Sequence, residues 1–105
     1  EFIEWNLRIR EYYNWSKKNE FNILKPINGA EPNYWLNILI LKNKLERNKF
    51  LKISNNSKIF CRPAWKLLHT LPMFKKYHKK NLVNSKFLGE RIVCLPSGVP
   101  KWKIC

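Results

Sequence analysis

Two short apolar segments most strongly limit what this chain can fold into. Residues 34–41 (YWLNILIL) and 91–96 (RIVCLP) are rich in aromatic and β-branched side chains, which are typical of buried strands. Segments with helical patterns precede the first strand and separate it from the last. This order indicates a small α/β domain with a few strands and three to four helices, although the connections leave the relative strand directions open.

The helical segments are recognised by the spacing of their apolar residues. The first residues of the chain place four large side chains on one helical face: Phe2, Trp5, Ile9 and Tyr12. Residues 42–58 predict a basic helix that ends near Asn55 and Asn56, since Asn adopts the left-handed conformation easily.

Shorter elements are expected in the second half of the chain. Residues 58–62 predict extended structure, and Pro63 is suited to the first turn of a short helix over 63–69. Residues 81–89 predict another helix, with Asn81 as the N-cap and Gly89 as a left-handed stop. A chain of 105 residues has room for one such domain.

The formal charge of +14 favours either an anionic partner or a compositional bias. Most of the basic residues are Lys, mixed with many Asn and Ile residues, as in proteomes with A/T-rich codons. Arg, the better ligand for phosphate groups, occurs only five times. A basic nucleic-acid-binding module is therefore the alternative function, although the periodic positions of Trp5, Tyr12 and Trp35 favour burial in the core over base stacking.

Several other classes of function lack the residues they require. Cys61, Cys94 and Cys105 have no zinc-binding spacing and are odd in number, which favours reduced thiols in a cytoplasmic protein. Cys61 and His69 have no spacing specific to a nucleophile and its base. No phosphate-binding loop, metalloprotease motif, membrane span or signal peptide is recognisable. We therefore expect no catalytic residue and no metal ligand in this chain.

The start of the sequence predicts a longer parent protein. The only Met is Met73, and the first residues already have a helical pattern without a capping residue before them. We therefore expect this chain to be the C-terminal part of something larger. The sequence also contains no Asp.

Three segments together resemble a known family: residues 33–41 (NYWLNILIL), 62–74 (RPAWKLLHTLPMF) and 91–98 (RIVCLPSG). They are similar to the C-terminal segment of the DegT/StrS family of pyridoxal-phosphate-dependent nucleotide-sugar aminotransferases. The order and spacing look most like the branch that acts on 4-keto-6-deoxy acetamido sugars, as in legionaminic-type pathways. The resemblance implies that residues 1–105 form the small C-terminal domain, with 1–20 as the helix leading out of the large domain.

The resemblance also implies the partners of the parent enzyme. These are a nucleotide-sugar substrate, an amino donor such as glutamate and a second copy of the enzyme in a homodimer. Pyridoxal phosphate would be bound by the absent large domain, because no lysine here lies in the family's Schiff-base motif and the usual Asp partner of the pyridinium nitrogen is missing. A few relatives use the same scaffold for dehydration or as a sensor, and that alternative stays open.

The resemblance implies a substrate-binding role for five residues. Arg62 is a candidate ligand for phosphate or sugar, with a surface arginine or an interface ion pair as the alternative. Trp65 is expected against the sugar or the cofactor, with a core anchor as the alternative. His69 is expected to hydrogen-bond a sugar oxygen, with a capping or interface histidine as the alternative. Asn33 and Tyr34 are expected at the mouth of the cleft.

Overall fold

The computed structural model describes the backbone of residues 2–98 and the side chains of residues 9–98. This part of the chain contains three α-helices: α1 (Phe2–Lys18), α2 (Lys44–Asn56) and α3 (Val83–Gly89). It contains four strands: β1 (Asn22–Ile23), β2 (Asn37–Ile40), β3 (Arg62–Pro63) and β4 (Ile92–Leu95). Two short 3-10 turns, Leu68–Thr70 and Pro72–Phe74, lie between β3 and α3.

The four strands form one sheet in the order β1-β2-β4-β3, and every neighbouring pair is antiparallel. The two segments predicted as buried strands, β2 and β4, lie side by side at its centre, with Leu39 opposite Val93. The predicted α/β class is confirmed at this level: the domain is a small mixed α/β fold. The strand directions, which the sequence left open, are settled by the pairing.

The core lies on one face of this sheet. Leu39 and Val93 are fully buried, and Leu95 is nearly so, because alternate residues of β2 and β4 point to the same side. Ile9 of α1 completes this core, as its position on the predicted helical face implied. Tyr12 packs at the edge and donates its hydroxyl hydrogen to the Pro96 carbonyl at 2.8 Å, which ties α1 to the end of β4.

Helix α2 lies within the segment 42–58 that was predicted to be helical. The Oδ1 atom of Asn43 accepts the backbone N–H of Glu46 at 2.8 Å, which satisfies one of the free donors of the first turn. The helix ends at Asn56, and Lys58 then adopts a φ of 62° as the chain turns away. The predicted position of the helix end near Asn55 and Asn56 is confirmed, but the predicted reason is wrong, because the left-handed residue is Lys58 and not an asparagine.

The predicted short helix over 63–69 is wrong. Pro63 lies in the edge strand β3, opposite Val93, and the chain stays irregular until the turn Leu68–Thr70. A proline is tolerated at a sheet edge because an edge position does not require its missing N–H. Pairing with β4 therefore overrides the helical preference of the segment.

The prediction for the ends of α3 is partly wrong. Asn81 accepts the N–H of Val83 at 3.1 Å, but Leu82 is the capping residue. Gly89 is the last helical residue and has no left-handed φ. A Cβ atom on Gly89 would lie 3.5 Å from the Leu67 side chain, which is an ordinary van der Waals contact, so neither the backbone conformation nor the space at this position requires a glycine.

Some predicted features lie outside the described residues. The side chains of Phe2 and Trp5 and the terminal Cys105 belong to this group. No helix among residues 2–98 is long and apolar enough to cross a bilayer.

Candidate functional site

The face of the sheet opposite the core forms a groove with a volume of about 410 Å³, which we call the sheet groove. Ile38 and Cys94 are paired across β2 and β4 and form its floor, because they alternate with the buried residues of the same strands. Leu36, Phe60, Arg62 and Trp65 are among the residues that line it. Phe60 is 63% exposed, so the wall of the groove is apolar and open. Such a surface is suited to contact with another molecule or domain.

Arg62 lies at the rim of the sheet groove on β3, opposite Cys94. Its Nη1 atom donates to the Oδ1 atom of Asn55 at 3.3 Å, and Asn55 in turn donates to the Leu51 and Cys61 carbonyls. The end of α2 thus orients the guanidinium group. Among the described residues, only the Nη1 atom of Arg62 donates hydrogen bonds. Because the side chain is also exposed, its other donors can bind an anionic ligand.

Trp65 is also on the rim and is 75% exposed, so the alternative that it anchors the core is wrong. Its ring centroid lies 6.2 Å from that of Trp35, with an angle of 48° between the rings. Trp35 is 60% exposed, so our assignment of this residue to the core is wrong as well. Residue 35 precedes the regular strand, and the alternation that buries Asn37 and Leu39 does not extend to it.

His69 lies in the first 3-10 turn, on the other side of Trp65. The Leu67 carbonyl accepts both the N–H and the hydroxyl of Thr70, which closes the turn and positions the histidine. His69 lines a second groove of about 550 Å³ together with Trp65 and Arg47. The structure therefore does not bring Arg62 and His69 into one groove; Trp65 borders both.

Asn33 and Tyr34 lie in the loop before β2 and line a third groove of about 260 Å³. The Oδ1 atom of Asn33 accepts the N–H of Trp35 at 3.1 Å, and Tyr34 adopts a φ of 55° while packing against the core. These contacts shape the turn that presents Trp35 towards Trp65. Neither predicted residue lines the sheet groove, whereas Leu36, two residues after Tyr34, lines both grooves.

The sequence reasoning missed the residues that form the floor and walls of the sheet groove. Ile38, Phe60 and Cys94 line this groove and were not predicted as site residues, and neither was Trp35, which lies beside Trp65. The period-two alternation of residues 37–40 was the available signal, because one set of side chains must face away from the core. Phe60 and Trp35 lie outside regular strands, where no periodicity marks the side of the chain that is exposed.

The two described cysteines are free thiols, and neither is an activated nucleophile. Burial raises the pKa of Cys61, against smaller opposing effects of a hydrogen bond from Ser54 and the charge of Arg62. Burial also raises the pKa of Cys94, with a further contribution from Cys61. Both thiols therefore stay protonated at neutral pH. Since Cys61 lies in the core, it does not form a nucleophile and base pair with His69.

The sheet groove lacks the groups that hold pyridoxal phosphate. No lysine and no carboxylate is among the described residues that line it, whereas the cofactor needs a Schiff-base lysine and an acidic partner for its ring nitrogen. The described lining of the sheet groove therefore does not fit this cofactor. No cluster of His, Cys, Asp or Glu among residues 2–98 is suited to a metal ion.

No model of a known protein family matches the sequence.

Proposed function

We propose that this chain is the C-terminal small domain of a pyridoxal-phosphate-dependent aminotransferase that acts on a nucleotide-linked keto-deoxy sugar in cell-surface glycan biosynthesis. The observation that supports this best is the open apolar face of the sheet, with Arg62 and Trp65 on its rim. Both residues belong to the segment 62–74 that resembles the DegT/StrS family. In this proposal the sheet groove is one wall of the substrate cleft, and the large domain is the opposite wall.

The roles of the side chains follow from their chemistry. Arg62 would donate parallel hydrogen bonds to a phosphate group of the substrate, held in position by Asn55. Trp65, with Trp35 beside it, would offer an apolar surface to the sugar ring. His69, beyond Trp65, would hydrogen-bond a sugar oxygen at the far end of the substrate. Together these contacts position the substrate and do not carry out the chemistry.

The reactive centre would belong to the absent domain. Pyridoxal phosphate supplies the electron sink for amino transfer when it is bound there. Glutamate would be the amino donor, and a cytoplasmic homodimer would be the active form.

The test is an assay of the gene product that carries this chain. The purified protein is incubated with glutamate and a nucleotide-linked 4-keto sugar, and the product is identified by mass spectrometry. We expect an amino sugar and the visible absorption of bound pyridoxal phosphate. Arg62→Gln should raise KM for the nucleotide sugar about tenfold and leave the cofactor absorption unchanged, because only a substrate contact is lost.

Arg10→Gln is the matched control, because Arg10 is an exposed arginine on α1. It should leave KM unchanged. A deoxygenated product would assign the protein to the dehydratase variant of the scaffold. The absence of both cofactor absorption and turnover would disprove the proposal.

A further inference from the structure

A second surface of the domain concentrates positive charge around aromatic rings. No Asp or Glu occurs between Glu46 and Glu90, and this interval holds eleven of the 21 Lys and Arg residues. The irregular segment between β3 and α3 folds part of this charge into a groove of about 580 Å³, which we call the basic groove. Six residues among those that line it are Lys66, His69, Phe74, Tyr77, Lys79 and Lys80.

The described residues around this groove provide no carboxylate to neutralise its basic charges. Lys66, Lys79 and Lys80 are exposed, and no carboxylate is among the described residues that line the groove. Uncompensated lysines around a concave surface attract phosphate groups, and the release of their counterions favours binding of a polyanion. Part of the positive charge is thus localised around one groove and is not spread evenly over the surface of the domain.

The aromatic rings of the groove are turned to solvent. The rings of Phe74 and Tyr77 lie 6.3 Å apart at an angle of 51°, and the backbone N–H of Tyr77 donates to the Phe74 carbonyl at 3.2 Å. Tyr77 is 60% exposed and Phe74 is 42% exposed. The Nζ atom of Lys76 lies 5.6 Å from the centre of the Tyr77 ring, so a cation lies beside an accessible aromatic face. Exposed rings next to lysines offer stacking and charge contacts at once.

We propose that the basic groove binds single-stranded nucleic acid. An unpaired strand can place a base against Tyr77 or Phe74 while its phosphates contact Lys66, Lys79 and Lys80. A duplex is less suited, because its bases are stacked internally and the groove presents no long helix for insertion into the major groove. A flat bilayer is less suited to a concave surface, since interfacial binding requires apolar side chains that project beyond the lysines.

The sheet groove and the basic groove have no lining residue in common, and the residues varied in the test below, Lys66, Lys79, Lys80 and Tyr77, have no role in the proposed aminotransferase function. His69 lines the basic groove and is also a proposed sugar contact, so it is left out of the test of either proposal. Either proposal can fail while the other stands. Arg62→Gln should leave oligonucleotide binding by the basic groove unchanged.

The experiment measures fluorescence anisotropy of a labelled oligothymidylate of about twelve nucleotides, a size that one small domain can cover. The 105-residue chain is titrated into the probe at several salt concentrations. The groove variant carries Lys66→Gln, Lys79→Gln and Lys80→Gln, and the control carries Lys17→Gln, Lys18→Gln and Lys42→Gln. The control lysines are exposed and do not line the groove, and the two variants have the same net charge.

We expect the groove variant to bind the oligonucleotide about tenfold more weakly than the unmodified chain. The plot of the logarithm of the association constant against the logarithm of salt concentration should become less steep, its negative slope losing about 2 in magnitude. The control should change both quantities far less. Tyr77→Leu should weaken binding about fivefold, and Tyr77→Phe should not. Circular dichroism checks that each variant is folded.

Three results would overturn the inference. The first is equal weakening by the groove variant and the control, which would assign the binding to undirected charge. The second is affinity for a duplex of the same length equal to that for the single strand. The third is groove-dependent binding to phosphatidylserine vesicles without groove-dependent binding to the oligonucleotide.

Discussion

The indole rings of Trp35 and Trp65 lie 6.2 Å apart and connect the loop before β2 to the rim of the sheet groove. Trp35 belongs to the turn shaped by Asn33, and Trp65 follows the edge strand β3. Two segments that are distant in sequence thus form one exposed aromatic surface. Because both rings are exposed to solvent, this surface is available to bind another molecule and is not part of the hydrophobic core.

The exposure of Trp65 predicts that its removal has little effect on stability. Because three quarters of this side chain is already in water, Trp65→Ala should lower the free energy of unfolding by less than about 1 kcal/mol. Urea denaturation followed by circular dichroism measures this. A loss of about 3 kcal/mol or more, as for a buried tryptophan, would show that Trp65 supports the core.

Leu39 should behave in the opposite way. It is fully buried at the centre of the sheet, so Leu39→Ala should cost about 2–5 kcal/mol through lost burial and the cavity left behind. Leu45→Ala is the control, because Leu45 on α2 is 79% exposed and should change stability by less than about 0.5 kcal/mol. Similar costs for both would contradict the placement of the core on this face of the sheet.

The hydroxyl of Tyr12 should stabilise the attachment of α1. Tyr12→Phe removes the hydrogen bond to the Pro96 carbonyl and should cost about 1 kcal/mol, because the carbonyl loses a partner in a partly buried place. Tyr77→Phe removes a hydroxyl from an exposed ring and should cost nothing measurable. Thermal unfolding of both variants checks the difference, and an unchanged midpoint for Tyr12→Phe would mean that this hydrogen bond has no net stabilising effect.

The raised pKa values of Cys61 and Cys94 predict slow alkylation and a loss of stability at alkaline pH. Burial favours the neutral thiols in the folded state, so their contribution is fully present below the pKa of an unfolded thiol. This contribution to stability decreases as the pH rises towards the higher pKa of the folded state.

In a Cys105→Ser background, iodoacetamide should react with folded protein more slowly than with urea-unfolded protein at the same pH. Equal rates would contradict the burial of Cys61 and the partial burial of Cys94.

The open sheet groove predicts self-association of the isolated chain. Trp35, Phe60 and Trp65 expose apolar surface that the proposed large domain would cover, so the chain should bind a hydrophobic dye and form dimers or larger species. Light scattering measures the mass. A monomer that binds no dye would contradict this expectation.

The sequence by itself determined the class of the fold and the places of its central elements. The periodicity of residues 2–15 and 42–58 corresponds to α1 and α2, and the two apolar segments correspond to β2 and β4. These elements were predictable because spacing along the chain alone decides which side chains share a face.

The tertiary structure decided which aromatic side chains are buried and which residues meet. Pro63 pairs in a sheet edge instead of starting a helix, Trp35 is exposed instead of buried, and Arg62 and His69 lie on either side of Trp65. Each outcome depends on contacts between segments far apart in sequence. Local propensities differ by about 1 kcal/mol or less, and strand pairing and the burial of a whole face together outweigh them.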